Sequence, residues 1–228
     1  MYVSAIVVAA GKGRRFGHKA SKALVKLNSR PVIAYSLALL NAQPQIREIV
    51  VAGNPENIQA LRNIISKERI AKAVKVILGG KERRDSVANG LQAISPQADF
   101  ILIHDAARPF VTKKLVTSVI KEARKSGAAI AAVAVKPTIK KVARSLIVEK
   151  TLDRKSLWEA QTPQVFKKDL ILKAYKRFKH LEATDDAMLV ERLGAKVSVV
   201  SGSYSNIKIT TPEDLLIAKG IARSWKPI

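Results

Sequence analysis

Apolar runs rich in β-branched residues alternate with segments of helical period along nearly the whole chain, and nothing else in the sequence constrains the fold as strongly. Such runs suit strands buried on both faces, and helices between them return the chain to extend one mostly parallel sheet. Residues 4–9, 48–52, 74–78, 100–104 and 128–135 read as strands, with shorter ones at 196–200 and 207–209. Helical period appears at 31–40, 55–67, 112–125, 167–179, 185–193 and 212–224, and between Gly80 and residue 94. Pro31 opens a helix where its missing N–H costs nothing, Asn54 stands where it could cap the next, and Gly127 stops another. A long loop is expected between residue 9 and about Ser29.

One segment breaks the alternation. Residues 138–144 and 147–153 are short β-like stretches around Ser145, too close together to hold a helix between them. They suggest a hairpin arm over about 137–156, and an isolated hairpin needs something to pack against, for which a partner subunit is the obvious candidate. No repeat, low-complexity tract or linker divides the rest. The expectation is one α/β domain over 1–228, a mostly parallel twisted sheet flanked by helices with a protruding β-hairpin arm.

Of the 228 residues, 47% are hydrophobic, enough for a sizeable core. No stretch approaches the roughly 20 apolar residues of a membrane span. The apolar run at 3–10 ends in a glycine loop and lacks a basic leader, so it reads as a strand and not a signal peptide. The chain has no cysteine, which excludes a disulfide framework, a thiolate zinc site and a cysteine nucleophile. A soluble cytoplasmic protein is expected. The balance of 41 Lys and Arg against 18 Asp and Glu, net +23, suits polyanionic partners, although much of the excess falls on what read as solvated helix backs.

The loop after the first strand carries the chemistry. Ala9-Ala10-Gly11-Lys12-Gly13-Arg14-Arg15-Phe16-Gly17 leaves the strand at its carboxyl end, where open α/β sheets bind ligands. Its glycines let backbone N–H groups approach an anion, and Lys19, Lys22 and Lys26 follow, with no carboxylate anywhere before Glu48. This is a loop suited to a multiply charged phosphate ligand. A dinucleotide fingerprint is excluded, because the third glycine is one position late and the later acid is absent, and no P-loop pattern occurs.

Further motifs follow in order: Lys22; Gly79-Gly80 with Arg83 and Asp85-Ser86-Val87; His104-Asp105-Ala106-Ala107-Arg108-Pro109; Thr138-Ile139-Lys140; Asp153-Arg154; Gln161-Thr162-Pro163-Gln164; Thr184-Asp185-Asp186-Ala187; and Asn206-Ile207-Lys208. With the loop, their order and spacing resemble the 2-C-methyl-D-erythritol 4-phosphate cytidylyltransferases of the non-mevalonate isoprenoid pathway, over nearly the whole chain. The resemblance implies a Rossmann-like nucleotidyltransferase fold, a homodimer with interlocked β-arms, and a divalent ion, usually Mg²⁺, held mainly by the CTP phosphates. It implies attack by the substrate's phosphate oxygen on the α-phosphorus of CTP, with release of pyrophosphate.

By the same resemblance Ala9, Ala10, Gly11 and Gly13 would lie against the nucleotide, with Gly80, Ser86 and Ala106 helping to select cytidine. Arg15 and Lys22 would contact the phosphates and stabilise the transition state. Asp105, Arg108, Thr138, Thr162 and Lys208 would hold methylerythritol phosphate, and Arg154 would reach from the arm into the partner's site. A phosphate monoester is already anionic and needs no general base, so none of the three histidines need be catalytic.

Structural roles stand beside these. Asp105 could cap a turn, His104 reads as a half-buried strand residue, and Asp185 and Asp186 read as helix caps with Thr184. Trp158 reads as core or arm packing, and Lys140 and Lys141 as solubilising charges on the arm. The chain departs from the family's usual residues at Phe16, Lys81 and Pro137, and at Ser21, where proline is common.

Two other functions compete. The related ribitol 5-phosphate cytidylyltransferases share several motifs, but Ala9-Ala10-Gly11, Ala106-Ala107 and Asp186 favour methylerythritol phosphate. An aromatic content of 5% and the lack of any standard module argue against a nucleic-acid-binding protein.

Overall fold

The computed structural model describes residues 1–11, 13 and 21–225. Strand β1 (Val3–Val8) is followed, beyond the glycine-rich loop, by a miniature hairpin of β2 (Lys26–Leu27) and β3 (Arg30–Pro31). Asn28 and Ser29 turn that hairpin with φ of 49° and 65°, a conformation asparagine tolerates better than most residues. Then α1 (Val32–Ala42), β4 (Ile46–Gly53), α2 (Ile58–Lys67), β5 (Ala73–Leu78), α3 (Arg83–Ala93) and β6 (Phe100–Asp105) alternate as the periodicity predicts. Helix α4 (Lys113–Ser126) and β7 (Ala128–Ala134) lead to the arm, β8 (Ile139–Val142) and β9 (Val148–Leu152). Strand β10 (Trp158–Lys167), α5 (Lys168–Arg177), α6 (Asp186–Arg192), β11 (Ser198–Ser201) and α7 (Pro212–Ser224) complete the chain.

The main sheet has seven strands in the order β11-β7-β10-β6-β1-β4-β5. All pair in parallel except β10, which runs antiparallel to both β6 and β7. The chain leaves β1 for β4 and β5 on one side, then crosses to β6 on the other, so the switch in strand order lies between β1 and β6. Val8 is level with Asp105 of β6 and Ala52 of β4, which brings several carboxyl ends to one rim. A crevice at that rim is where such sheets bind ligands.

Alternation along the strands sorts the core onto the two faces of the sheet. Val3, Ala5 and Val7 join Leu37 of α1, Leu61 of α2 and Val119 of α4 on one face. Ile6 turns to the other, with Val87 of α3, Ile171 of α5 and Leu189 of α6. Helix α7 packs outside this layer, where Trp225 meets the edges of Phe110 and Tyr35.

Several expectations change, the first being that the loop expected as far as about Ser29 already holds a 3₁₀ turn at Lys22–Leu24 and a strand at Lys26–Leu27. Strand β10 was not expected, because Pro163 argues against a central strand; the chain accommodates it at an irregularity between Ala160 and Gln164, and the Thr162–Pro163 bond is cis. Residues 207–209 form no strand; Ile209 N–H instead donates to the Ala107 carbonyl at 2.9 Å. Asn54 is not the cap of α2, which starts later, behind Asn57. Trp158 is 46% exposed and so is not core within this chain. The arm pairs Ile139 with Leu152 and Lys141 with Lys150, and its tip exposes Leu146 and Ile147. Lys140 bonds Thr151 and Lys141 pairs with Glu149, so both lysines brace the hairpin.

Candidate active site

Strand β1 runs into Ala9, Ala10 and Gly11 at the rim. Ala9 N–H still donates to Ala52 O at 2.8 Å, and Ala106 N–H to Val8 O at 3.1 Å, so the loop start and the end of β6 are tied side by side. Gly79 fits between them and α3: a Cβ on it would lie 2.6 Å from Ala10 Cβ and 2.6 Å from Ser86 Oγ. Ser86 Oγ accepts from Gly80 N–H at 3.1 Å and donates to Glu82 O at 3.0 Å, which fixes the glycine turn against the helix. Gly11 is exposed, with no described atom within 4 Å of where a Cβ would stand, and Gly13 holds the left-handed φ of 65°. Ala9, Ala10, Gly11, Gly80, Ser86 and Ala106 thus lie on adjoining segments at this rim.

Asp105 is the centre of the second half. Its carboxylate meets Arg83 Nε at 2.9 Å, Lys208 Nζ at 2.6 Å and Arg108 Nε at 3.9 Å. Burial works to raise this carboxyl's pKa, but Arg83, Lys208 and Arg108 outweigh it and hold the group well below the usual carboxylate range. Arg83 also reaches Asp186 at 2.8 Å, and that carboxylate accepts the Tyr175 hydroxyl at 2.6 Å. Arg83, Asp105, Arg108, Thr162 and Lys208 line a cleft of about 410 Å³.

Buried polar groups shape the cleft's floor. His104 Nε2 lies 3.2 Å from the Arg108 carbonyl, which can only accept, so the proton sits on Nε2. Nδ1 then accepts the Thr162 hydroxyl at 3.1 Å, while Thr162 Oγ1 receives Asp105 N–H at 3.1 Å. His104 is wholly buried rather than half-buried, and burial pushes its pKa down to about 4, leaving it neutral near pH 7. Asn206 donates to Thr162 O, and Arg108 to the Asn206 carbonyl, which brings the segment bearing Lys208 to Asp105.

Of the other expected residues, Lys22 lies on a 3₁₀ turn over Lys22–Leu24. Arg15 lies outside the described residues. Thr138 is exposed at the base of the arm, and Arg154, on the turn after it, bonds the Lys136 carbonyl; neither lines the cleft within one chain. Asp185 caps α6 by accepting Met188 N–H at 3.0 Å, but Asp186 is no cap and serves the Arg83 bridge instead. Arg83 was visible in the motif without a role. Its partners Asp105 and Asp186 are far apart in sequence, so only the fold reveals the bridge.

A glycine-lined turn at the switch point thus stands beside a carboxylate ringed by cations, on a parallel sheet with one reversed strand. The family model for 2-C-methyl-D-erythritol 4-phosphate cytidylyltransferase matches residues 3–224. The enzyme of that name from Alkaliphilus metalliredigens is 44% identical over 98% of this chain and 94% of its own. That from Bacillus mycoides is 45% identical over 97% and 98%. Among solved structures, 4-diphosphocytidyl-2C-methyl-D-erythritol synthase from Anaerococcus prevotii superposes with a TM-score of 0.86 at 32% identity, covering 97% of this chain and 96% of that one. The cytidylyltransferase from Thermus thermophilus gives 0.78 at 33%, covering 98% and 100%. The chain belongs to the 2-C-methyl-D-erythritol 4-phosphate cytidylyltransferase family.

Proposed function

We propose that this protein transfers CMP from CTP to 2-C-methyl-D-erythritol 4-phosphate, forming 4-diphosphocytidyl-2-C-methyl-D-erythritol and pyrophosphate in isoprenoid precursor biosynthesis. The observation that carries the roles proposed here is Asp105 ringed by Arg83, Arg108 and Lys208 beside the glycine turn. The carboxylate can accept polyol hydroxyls while Lys208 and Arg108 face the phosphate. Arg108 Nε is buried with no hydrogen-bond partner among the described residues, 3.9 Å from the Asp105 carboxylate.

The phosphate monoester attacks the α-phosphorus of CTP, the bond to the β-phosphate breaks, and pyrophosphate leaves. Catalysis then consists of aligning two anions and neutralising charge at the α-phosphorus. Arg15 and Lys22 act on the CTP phosphates, with Ala9, Ala10, Gly11, Gly13, Gly80, Ser86 and Ala106 shaping the nucleotide's place. Ser86 does so indirectly, its hydroxyl being spent on Gly80 and Glu82. Asp105, Arg108, Thr162 and Lys208 hold the acceptor. Neutral His104 orients Thr162 and moves no proton.

Among the described residues no group of three His, Asp or Glu could hold a metal, and Asp105 is already engaged by cations. That donor set fits Mg²⁺ carried by triphosphate oxygens and water, where the ion would neutralise phosphate charge. Thr138 and Arg154 complete the site of a second copy, the arm being the dimer contact; its exposed Leu146 and Ile147 support that role. The whole of 1–228 acts as one domain. No helix among the described residues is long and apolar enough to cross a membrane, and the soluble nucleotide substrate supports a cytoplasmic enzyme. Pyrophosphate release from CTP, measured with methylerythritol phosphate and with ribitol 5-phosphate, tests the reading. Release with the first is expected, and release with ribitol 5-phosphate alone would overturn it.

A further inference from the structure

Asn57 is 1% exposed and stands at the start of α2, outside every motif that marks the site. Its side-chain amide donates to the Ala9 carbonyl at 2.9 Å and to Ser21 Oγ at 2.8 Å. Its Oδ1 accepts Asn54 N–H at 2.8 Å, and Asn54 Oδ1 accepts Asn57 N–H at 2.9 Å in return. Asn54 Nδ2 then reaches the Ala10 carbonyl at 3.0 Å. An N–H can only donate and a carbonyl can only accept, so the facing of both amides is fixed by their neighbours.

Ala9 and Ser21 are the two ends of the glycine-rich loop. We propose that Asn57 is a positioning residue, its carboxamide joining those two ends and thereby setting where Lys22 stands against the carboxyl end of β1. This rests on the cytidylyltransferase reading, in which Lys22 faces the triphosphate. Ser21 has φ −55°, close to the value proline imposes, and its carbonyl accepts Leu24 N–H at 2.8 Å in the turn that carries Lys22. The Ser21 hydroxyl tethers this turn to the neighbouring strand–helix junction. Both groups are neutral and Asn57 is buried, so the bond is held away from competing water.

The test compares Ser21→Ala, Ser21→Thr and Asn57→Ala in the full chain, each also made in a Lys22→Ala background. Loss of one such bond is expected to lower kcat by about threefold to tenfold in Ser21→Ala, with less change in KM for CTP. Ser21→Thr, which keeps the hydroxyl, should restore most of it. In the Lys22→Ala background Ser21→Ala should have no further effect, because the tether acts through that lysine. A merely structural role would lower activity equally in both backgrounds. Hydrogen exchange at Leu24 N–H should quicken in Ser21→Ala whatever the enzyme's activity. An active wild type with unchanged kcat in Ser21→Ala, additive losses, or unchanged exchange would each overturn the proposal. An inactive wild type would instead count against the cytidylyltransferase reading, and the exchange measurement would still judge the tether. If Asn57→Ala fails to fold, the Ser21 variants decide alone.

Discussion

Arg83 holds two buried carboxylates at once, Asp105 toward the cleft and Asp186 behind it, and its side chain is itself 25% exposed. Removing one partner of a buried ion pair leaves an uncompensated charge, which typically costs about 3–5 kcal/mol. Arg83→Ala should therefore lower stability by roughly that amount. Lysine, a point charge that cannot fork to both carboxylates, should recover only part. Urea unfolding of the three proteins checks this, and an Arg83→Ala protein as stable as wild type would contradict it. His104 gives a pH signature. Its pKa falls from 6.5 to about 4 on folding, so below pH 6.5 the unfolded chain takes up a proton the folded one refuses. Stability is full above pH 6.5 and falls as pH drops toward 4, by a total on the order of 3 kcal/mol. Comparing unfolding at pH 7.5 and pH 5 with a His104→Gln variant isolates this share, since the variant should lose less stability than wild type on acidification.

At the scale of elements, the arm carries the most direct consequence. If Arg154 serves the neighbour's site while Lys208 serves its own, a mixture of Arg154→Ala and Lys208→Ala proteins contains hybrid dimers with one intact site. After subunit exchange such a mixture should regain about a quarter of wild-type activity. No regain would mean that the arm completes its own chain's site. The arm, strand β1 and the helices α4 and α7 were legible because period, spacing and caps act locally: Thr112 accepts Leu115 N–H, and Thr211 with Asp214 forms a capping box. Strand β10 was hidden by Pro163, whose tolerance depends on a local irregularity that no pattern announces. The site divided in the same way. Its glycines and cations cluster in motifs, whereas the Arg83–Asp186–Tyr175 bridge and the Asn54–Asn57 pair reach segments distant in sequence, and locally Asp186 and Asn54 read only as caps.

For the molecule as a whole, the sheet's topology explains why the two halves of the site adjoin. Ala9 to Gly11 leave β1 and Asp105 to Arg108 leave β6 at the switch point, so in the proposed reading a nucleotide over the first would face an acceptor over the second. The net charge of +23 raises phosphate concentration around such a rim, but selects no particular partner. Function lives in the site grafted onto this sheet. The central claim is that the site joins the acceptor's phosphate to the α-phosphorus of CTP. Phosphorus NMR of purified protein with CTP, Mg²⁺ and 2-C-methyl-D-erythritol 4-phosphate tests it most directly. A pair of diphosphodiester signals growing in step with inorganic pyrophosphate is the predicted result. Unchanged substrates, or CTP hydrolysed without a diphosphodiester, would contradict it.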